Sequence, residues 1–235
     1  MNNDVYIIIP SRIGSTRLKN KPLIDLNGRS LIQRVLINAL NISKNSFVAT
    51  DSNLISKNVN NISNNILMTS KNHISGTDRI YEAATQLNLS KDTLIINLQG
   101  DEPFLPKELI DNIINDYNKN TCDVITASNK INKQEELANP NCVLVETDDK
   151  NYATKFVRVG DVHDPERHIG IYGYSLKVLE EFVNLKPTKS ELSLKLEQLR
   201  FLENNYSIYV TKYNDEIPNG IDTQDDIEKA VKYLS

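Results

Sequence analysis

The chain has 235 residues, of which 39% are hydrophobic and 25% charged, and its formal net charge is -4. That balance excludes a disordered, collagen-like or disulfide-scaffold protein, and the negative charge argues against a surface built to coat nucleic acid polymers or anionic membranes. Cys122 and Cys142 form no C-x-x-C pair, no apolar run reaches the ~20 residues of a membrane span, and Met1 to Asp4 lack the zones of a signal peptide, so a cytoplasmic protein is expected.

Val5 to Ile9 is a short apolar, β-branched run ending at Pro10, the pattern of a strand buried on both faces. A long polar segment follows, then Ser30-Leu31-Ile32-Gln33, a capping box ahead of apolar residues at helical spacing (Ile32, Val35, Leu36, Ala39, Leu40). Ser46 to Thr50 and Ile66 to Thr69 read as further strands. The Asn-rich stretch Asn58 to Asn65 reads as a polar loop, and a helix begins near Ser75-Gly76-Thr77. Thr93 to Leu98 is a fourth strand running into Gln99-Gly100-Asp101-Glu102-Pro103, Pro106 suits the first turn of the next helix, and Asp123 to Ala127 is a fifth strand. Strict alternation of strand and helix predicts right-handed crossovers and a mostly parallel, Rossmann-like α/β sheet. From about 129 to 173 short apolar stretches lack long helices between them, which predicts a β-rich, antiparallel extension within a single domain over 1–235. Leu192, Leu196, Leu199 and Leu202 predict one helix, Ser207 to Thr211 a strand, and Asp225 to Leu234 a closing helix.

Absent motifs narrow the chemistry. No G-x-G-x-x-G follows the first strand, and the chain has no G-x-x-x-x-G-K-[ST] loop and no H-E-x-x-H, so neither a dinucleotide turn, a P-loop nor a zinc helix is expected. Between Ser11 and Pro22, however, Arg12, Arg17, Lys19 and Lys21 stand without an Asp or Glu. A cationic loop with Gly14 and hydroxyls at the carboxyl end of a first parallel strand suits a polyphosphate, whose oxygens match backbone N–H groups and Arg or Lys side chains. Asp101, just past the fourth strand, and Asp222 are candidate Mg²⁺ ligands, because that ion takes one or two carboxylates plus phosphates and waters. Thr223 and Asp226 form a capping pattern of their own, which leaves Asp222 without a structural duty.

Six segments in register carry a resemblance. They are Ile9 to Leu23, His73-x-Ser75-Gly76-Thr77-Asp78-Arg79, Gln99 to Pro103, His168-Ile169-Gly170-Ile171-Tyr172-Gly173-Tyr174, Leu196-Glu197-Gln198-Leu199-Arg200 and Gly220-Ile221-Asp222-Thr223. Together they resemble the CMP-Kdo synthetase (3-deoxy-manno-octulosonate cytidylyltransferase) family over essentially the whole chain. The resemblance implies the fold of nucleotide-diphospho-sugar transferases, a homodimer using the β-rich extension, and transfer of CMP from CTP to the anomeric hydroxyl of 3-deoxy-D-manno-octulosonate (Kdo) for lipopolysaccharide synthesis.

It also implies roles. Arg12 and Lys21 would hold the triphosphate, with Ser11, Ser15 and Arg17 beside them. Asp101 and Asp222 would bind Mg²⁺, the catalytic set being Arg12, Lys21, Asp101 and Asp222. Ser75, Gly76 and Thr77 would approach the cytidine, Gln99 the nucleotide or sugar, and Arg158, His168, Tyr172, Glu197 and Gln198 the sugar acid. One departure stands out: Phe156 to Arg167 lacks the family's serine and Ile-Pro and is short. That leaves a modified acceptor such as 8-amino-Kdo open, and a catalytically silent nucleotide-binding protein on the same fold is the rival of a different class.

Overall fold

The computed structural model describes residues 5–14, 18–131, 137, 139, 142–159 and 162–234, so Ser15 and Arg17 lie outside the described residues. The chain divides into two compact units, residues 1–110 with 217–235, and residues 111–216.

The first unit is built on parallel strands β1 (Val5–Ser11), β2 (Ser46–Thr50), β3 (Ile66–Met68) and β4 (Leu94–Leu98) in the order β3-β2-β1-β4. Ile7, Ile8 and Ile9 are fully buried, as a central strand covered on both faces requires. β1 follows β2 as far as the pair Ser11–Thr50 but its pairing with β4 ends at Ile8–Asn97. A residue without an N–H is therefore tolerated at Pro10, and the two strands part at their carboxyl ends.

Helix α1 (Leu31–Leu40) starts at the expected capping box. Gln33 N–H donates to Ser30 Oγ at 3.3 Å, and Ser30 N–H donates to Gln33 Oε1 at 3.1 Å. The sequence reading did not include α2 (Asn53–Val59), which is capped by Ser52 and buries only Ile55 and Val59. Its last turn takes in Asn58, the start of the stretch read as loop. At the other end of that stretch Asn65 ties two segments together, its amide donating to Lys44 O and Ser46 O at 3.1 and 3.0 Å. Helix α3 (Gly76–Thr85) and helix α8 (Gln224–Tyr233) begin at capping boxes Ser75/Asp78 and Thr223/Asp226. Helix α4 (Lys107–Lys119) follows Pro106 and carries the chain from the first unit into the second.

In the second unit β5 (Val124–Asn129), buried along its whole length, lies between antiparallel β8 (Glu166–Ser175) and parallel β9 (Ile208–Tyr213). β6 (Leu144–Thr147) pairs antiparallel with both β8 and β7 (Ala153–Val157), which is the expected β-rich extension. Polar side chains on buried β5 are satisfied, Asn129 for instance donating to Tyr213 O and Asp215 O at 2.8 Å each, as burial of an amide demands.

Two helical readings change here. The leucine periodicity from Leu192 to Leu202 is not one helix but α6 (Lys189–Leu194) and α7 (Gln198–Glu203), broken at Lys195, whose φ is 55°. A left-handed residue cannot continue a helix, and Leu192 is 65% exposed, so it belongs to no common stripe. α5 (Leu176–Asn184) was not anticipated, although Ser175 caps it and Leu176, Leu179 and Phe182 repeat at helical spacing. Both cysteines are free thiols. Burial, with Asp123 adding to it, pushes Cys122 up to about 11, so its sulfur stays protonated and unreactive.

Candidate active site

A cavity of about 380 Å³ opens in the first unit where β1 and β4 part, its lining including Ser11, Arg12, Lys21, Ser75, Gly76, Arg79, Gln99, Gly100, Asp101 and Asp222. In open parallel sheets ligands sit in this place, beyond the carboxyl ends of the strands. The walls come close only because of a glycine. A Cβ on Gly100 would stand 2.9 Å from the Pro10 carbonyl oxygen, a contact that backbone cannot yield to cheaply.

Asp101 and Asp222, far apart in sequence, are brought together by the backbone. Ile221 N–H donates to Asp101 O at 2.9 Å, and Asp222 N–H donates to Asp226 Oδ2 at 3.0 Å. Both carboxylates converge on one cation: Lys21 Nζ donates to Asp101 Oδ2 at 2.7 Å and to Asp222 Oδ1 at 2.8 Å. Lys21 opens a short 3-10 turn, Lys21–Leu23, entered through left-handed Asn20. Burial works against its charge, but Asp101 first and Asp222 second hold its pKa above the ordinary lysine value. Two carboxylates that share a single cation are the donor set Mg²⁺ uses when phosphates and waters complete its shell. No group of three or more His, Cys, Asp or Glu suited to a metal occurs among the described residues.

The remaining lining suits an anion. Arg12 is exposed and free to reach a ligand. Ser11 is 6% exposed, and its hydroxyl has no hydrogen-bond partner among the described residues. A buried hydroxyl left unpaired costs about 1–3 kcal/mol, which a ligand oxygen would recover. Arg79, not singled out in the sequence although it closes the Ser75 to Arg79 motif, is 3% exposed and donates to Thr69 Oγ1 at 2.5 Å, with Asp51 3.5 Å away. The loop before α3 is held on the same helix: Glu82 accepts from Ser70 N–H at 2.9 Å and pairs with His73. Ser75 and Gly76 line the cavity, although Ser75 Oγ is also engaged with Asp78. Thr77 does not: it is 3% exposed and packed inside the unit. Gln99 lines it too, its amide donating to Asn97 Oδ1 at 2.9 Å.

Apart from Gln99, the residues assigned to the sugar lie in the second unit. His168 and Tyr172 share a face of β8, their rings 5.5 Å apart, and Phe156 meets the imidazole edge-on at 5.2 Å. Thr126 Oγ1 donates its single proton to Ile171 O at 2.7 Å and lies 2.9 Å from His168 Nε2. The nitrogen therefore donates, which leaves Nδ1 as the acceptor. Burial pushes His168 down to about 3, so it is a neutral hydrogen-bonding group at physiological pH and not a cation. Burial and then Glu197 raise the Tyr172 phenol above its ordinary value. Arg158 is not free for a ligand in this arrangement, donating to Leu194 O at 2.9 Å and Lys195 O at 3.3 Å. Arg200, on the same helix as Gln198, grips Glu191. Gln198 is 5% exposed at the start of α7.

The His168 shift has a measurable consequence. The unfolded histidine titrates near 6.5 and the folded one near 3, so between these values the unfolded chain binds the extra proton. Stability from this group is complete above pH 6.5 and falls as pH drops toward 3, by at most about 1.4 kcal/mol per pH unit. Urea midpoints at pH 7 and pH 5 should therefore separate more for the native protein than for His168→Gln. An equal separation would show that the imidazole is not held neutral by burial.

The profile of the Cytidylyltransferase family matches residues 6–208. The chain belongs to the cytidylyltransferase family. Its relatives include a protein of Thermodesulfovibrio yellowstonii named 3-deoxy-manno-octulosonate cytidylyltransferase, 41% identical over 97% of each chain. Another of that name, from Lawsonia intracellularis, is 38% identical over 95% of this chain and 91% of its own. Among solved structures, a CMP:2-keto-3-deoxy-manno-octonic acid synthetase complexed with CTP superposes with a TM-score of 0.91 at 30% identity, covering 98% of both chains. The expected fold and family resemblance hold in this cytidylyltransferase. No helix among its described residues is long and apolar enough to cross a membrane.

Proposed function

We propose that this cytidylyltransferase transfers CMP from CTP to the anomeric hydroxyl of Kdo. The observation that carries the reading is the near-full-length likeness to proteins named for that reaction, one of them bound to CTP. The hydroxyl oxygen attacks the α-phosphorus and gives up its proton to solvent, the bond from that phosphorus to the bridging oxygen of the β-phosphate breaks, and pyrophosphate leaves with the electron pair.

The residues divide the work. Arg12, Arg79 and the Ser11 hydroxyl receive phosphate oxygens, supplying charge-assisted bonds that align the leaving group. Ser75 and the Gly76 backbone, which line the cavity, approach the base. Asp101 and Asp222 would hold Mg²⁺, which when bound would neutralise charge on the α-phosphate and lower the pKa of the attacking hydroxyl. His168 Nδ1 accepts a sugar hydroxyl, a role suited to a neutral imidazole, and Tyr172, Glu197 and Gln198 complete the acceptor's surroundings.

Incubation with CTP, Mg²⁺ and Kdo should release pyrophosphate in step with CMP-Kdo, followed by phosphorus NMR. CTP binding without turnover on any ulosonic acid would overturn the transfer reading in favour of a silent nucleotide binder. Turnover confined to 8-amino-Kdo would overturn the acceptor alone.

A further inference from the structure

The carboxylates assigned to the metal are already engaged, each accepting a short hydrogen bond from the same ammonium group. Lys21 is 13% exposed at its side chain, against 36% for Asp101 and 42% for Asp222, so the lysine is the most buried of three residues that all line the cavity. A lysine ammonium is a compact point charge on a flexible four-carbon stem. It can hold two carboxylates together and can also leave them by rotating about that stem. Two carboxylates converging on one point repel each other, and the ammonium between them offsets that repulsion.

We infer that Lys21 is an internal rival of the divalent cation: its ammonium holds Asp101 and Asp222 as a pair, and a metal ion gains their oxygens only by displacing it. The phosphates of CTP, received in the same cavity beside Arg12 and Arg79, give the displaced ammonium a new anionic partner. Nucleotide and metal then bind cooperatively, because each removes an obstacle to the other. A site of this kind keeps its carboxylates paired and preorganised while discriminating against metal that arrives without nucleotide. The inference rests on the reading of Asp101 and Asp222 as metal ligands.

Mn²⁺ affinity without nucleotide, read from the electron paramagnetic resonance signal of the free ion, tests it with no turnover required. Lys21→Met should bind Mn²⁺ about tenfold tighter than the native protein or better, within the usual span of site-to-site coupling. Lys21→Arg, which keeps the charge, should bind it no tighter than the native protein. A second measurement needs no variant: adding Mg²⁺ to the native protein should speed acetylation of Lys21, read by mass spectrometry, because the amine loses its carboxylate partners. Unchanged or weaker Mn²⁺ binding by Lys21→Met, or a labelling rate that Mg²⁺ leaves unmoved, would overturn the rivalry. Asp101→Asn and Asp222→Asn separate this from failure of the metal reading. If they bind Mn²⁺ as the native protein does, the ion lies elsewhere and both ideas fall; if they weaken it while Lys21→Met changes nothing, only the rivalry falls.

Discussion

Replacing Asp222 by Asn is expected to lower kcat by about 10²–10³-fold, and Asp101→Asn should do the same, because charge stabilisation by a bound ion amounts to several kcal/mol of the barrier. Each carboxylate bonds the same ammonium, at 2.7 and 2.8 Å, so neither should substitute for the other. Stability should change little. Both carboxylates are partly exposed, Asn keeps the shape, and Lys21 retains the second partner, so the loss should stay within about 1 kcal/mol. The backbone bonds from Ile221 to Asp101 O and from Asp222 N–H to Asp226 do not involve the altered oxygens. Pyrophosphate release at saturating CTP and Kdo, measured beside a thermal melt, checks both halves. A variant with near-native kcat at saturating Mg²⁺ would remove that residue from the metal site.

Glu191→Gln should unfold the protein more readily than any change in the cavity. In the second unit Arg200 donates to Glu191 through Nε at 2.8 Å and Nη2 at 2.5 Å, with both side chains less than 10% exposed. The guanidinium also lies 4.4 Å over the Phe182 ring. Such a pair adds little over an apolar replacement, but removing one partner strands a buried charge at a cost of about 3–5 kcal/mol. For a domain of this size that is a drop in Tm of about 6–20 °C. The effect should reach the acceptor side, since Arg200 lies on α7 with Gln198 and adjoins Glu197. The double change Glu191→Leu with Arg200→Met should recover much of the loss, and its failure to do so would mean that shape, not the stranded charge, accounts for the damage.

Much of the first unit was legible because its signals are local. The capping boxes at Ser30 and Thr223 involve residues three apart, and the apolar run Val5 to Ile9 reports a two-face burial that its own composition dictates. The stretch around Asn58 misled because an Asn-rich composition hides a short helix whose only apolar anchors are Ile55 and Val59. Leu192 to Leu202 misled for the opposite reason. Leucines at helical spacing suggest one stripe, yet whether the backbone turns left-handed at Lys195 depends on what each leucine packs against. Arg79 escaped notice as a site residue because a buried arginine within a helix looks like any other until Asp51 and Thr69 are placed beside it.

The sequence by itself determined the chemistry at hand: an acidic chain with a knot of cations after its first strand, two aspartates near ligand-side turns, and six segments in register with one family. Composition and short spacing are enough for that, because charge and capping act over a few residues. Only the tertiary structure decided which charges meet. Lys21 is separated by 80 residues from Asp101 and by 201 from Asp222, and no pattern along the chain states that its ammonium lies between them. That juxtaposition follows from where β1 and β4 part and from the backbone bond between Asp101 and Ile221. It turns a cation read from the sequence as a phosphate contact into one that also guards the carboxylates.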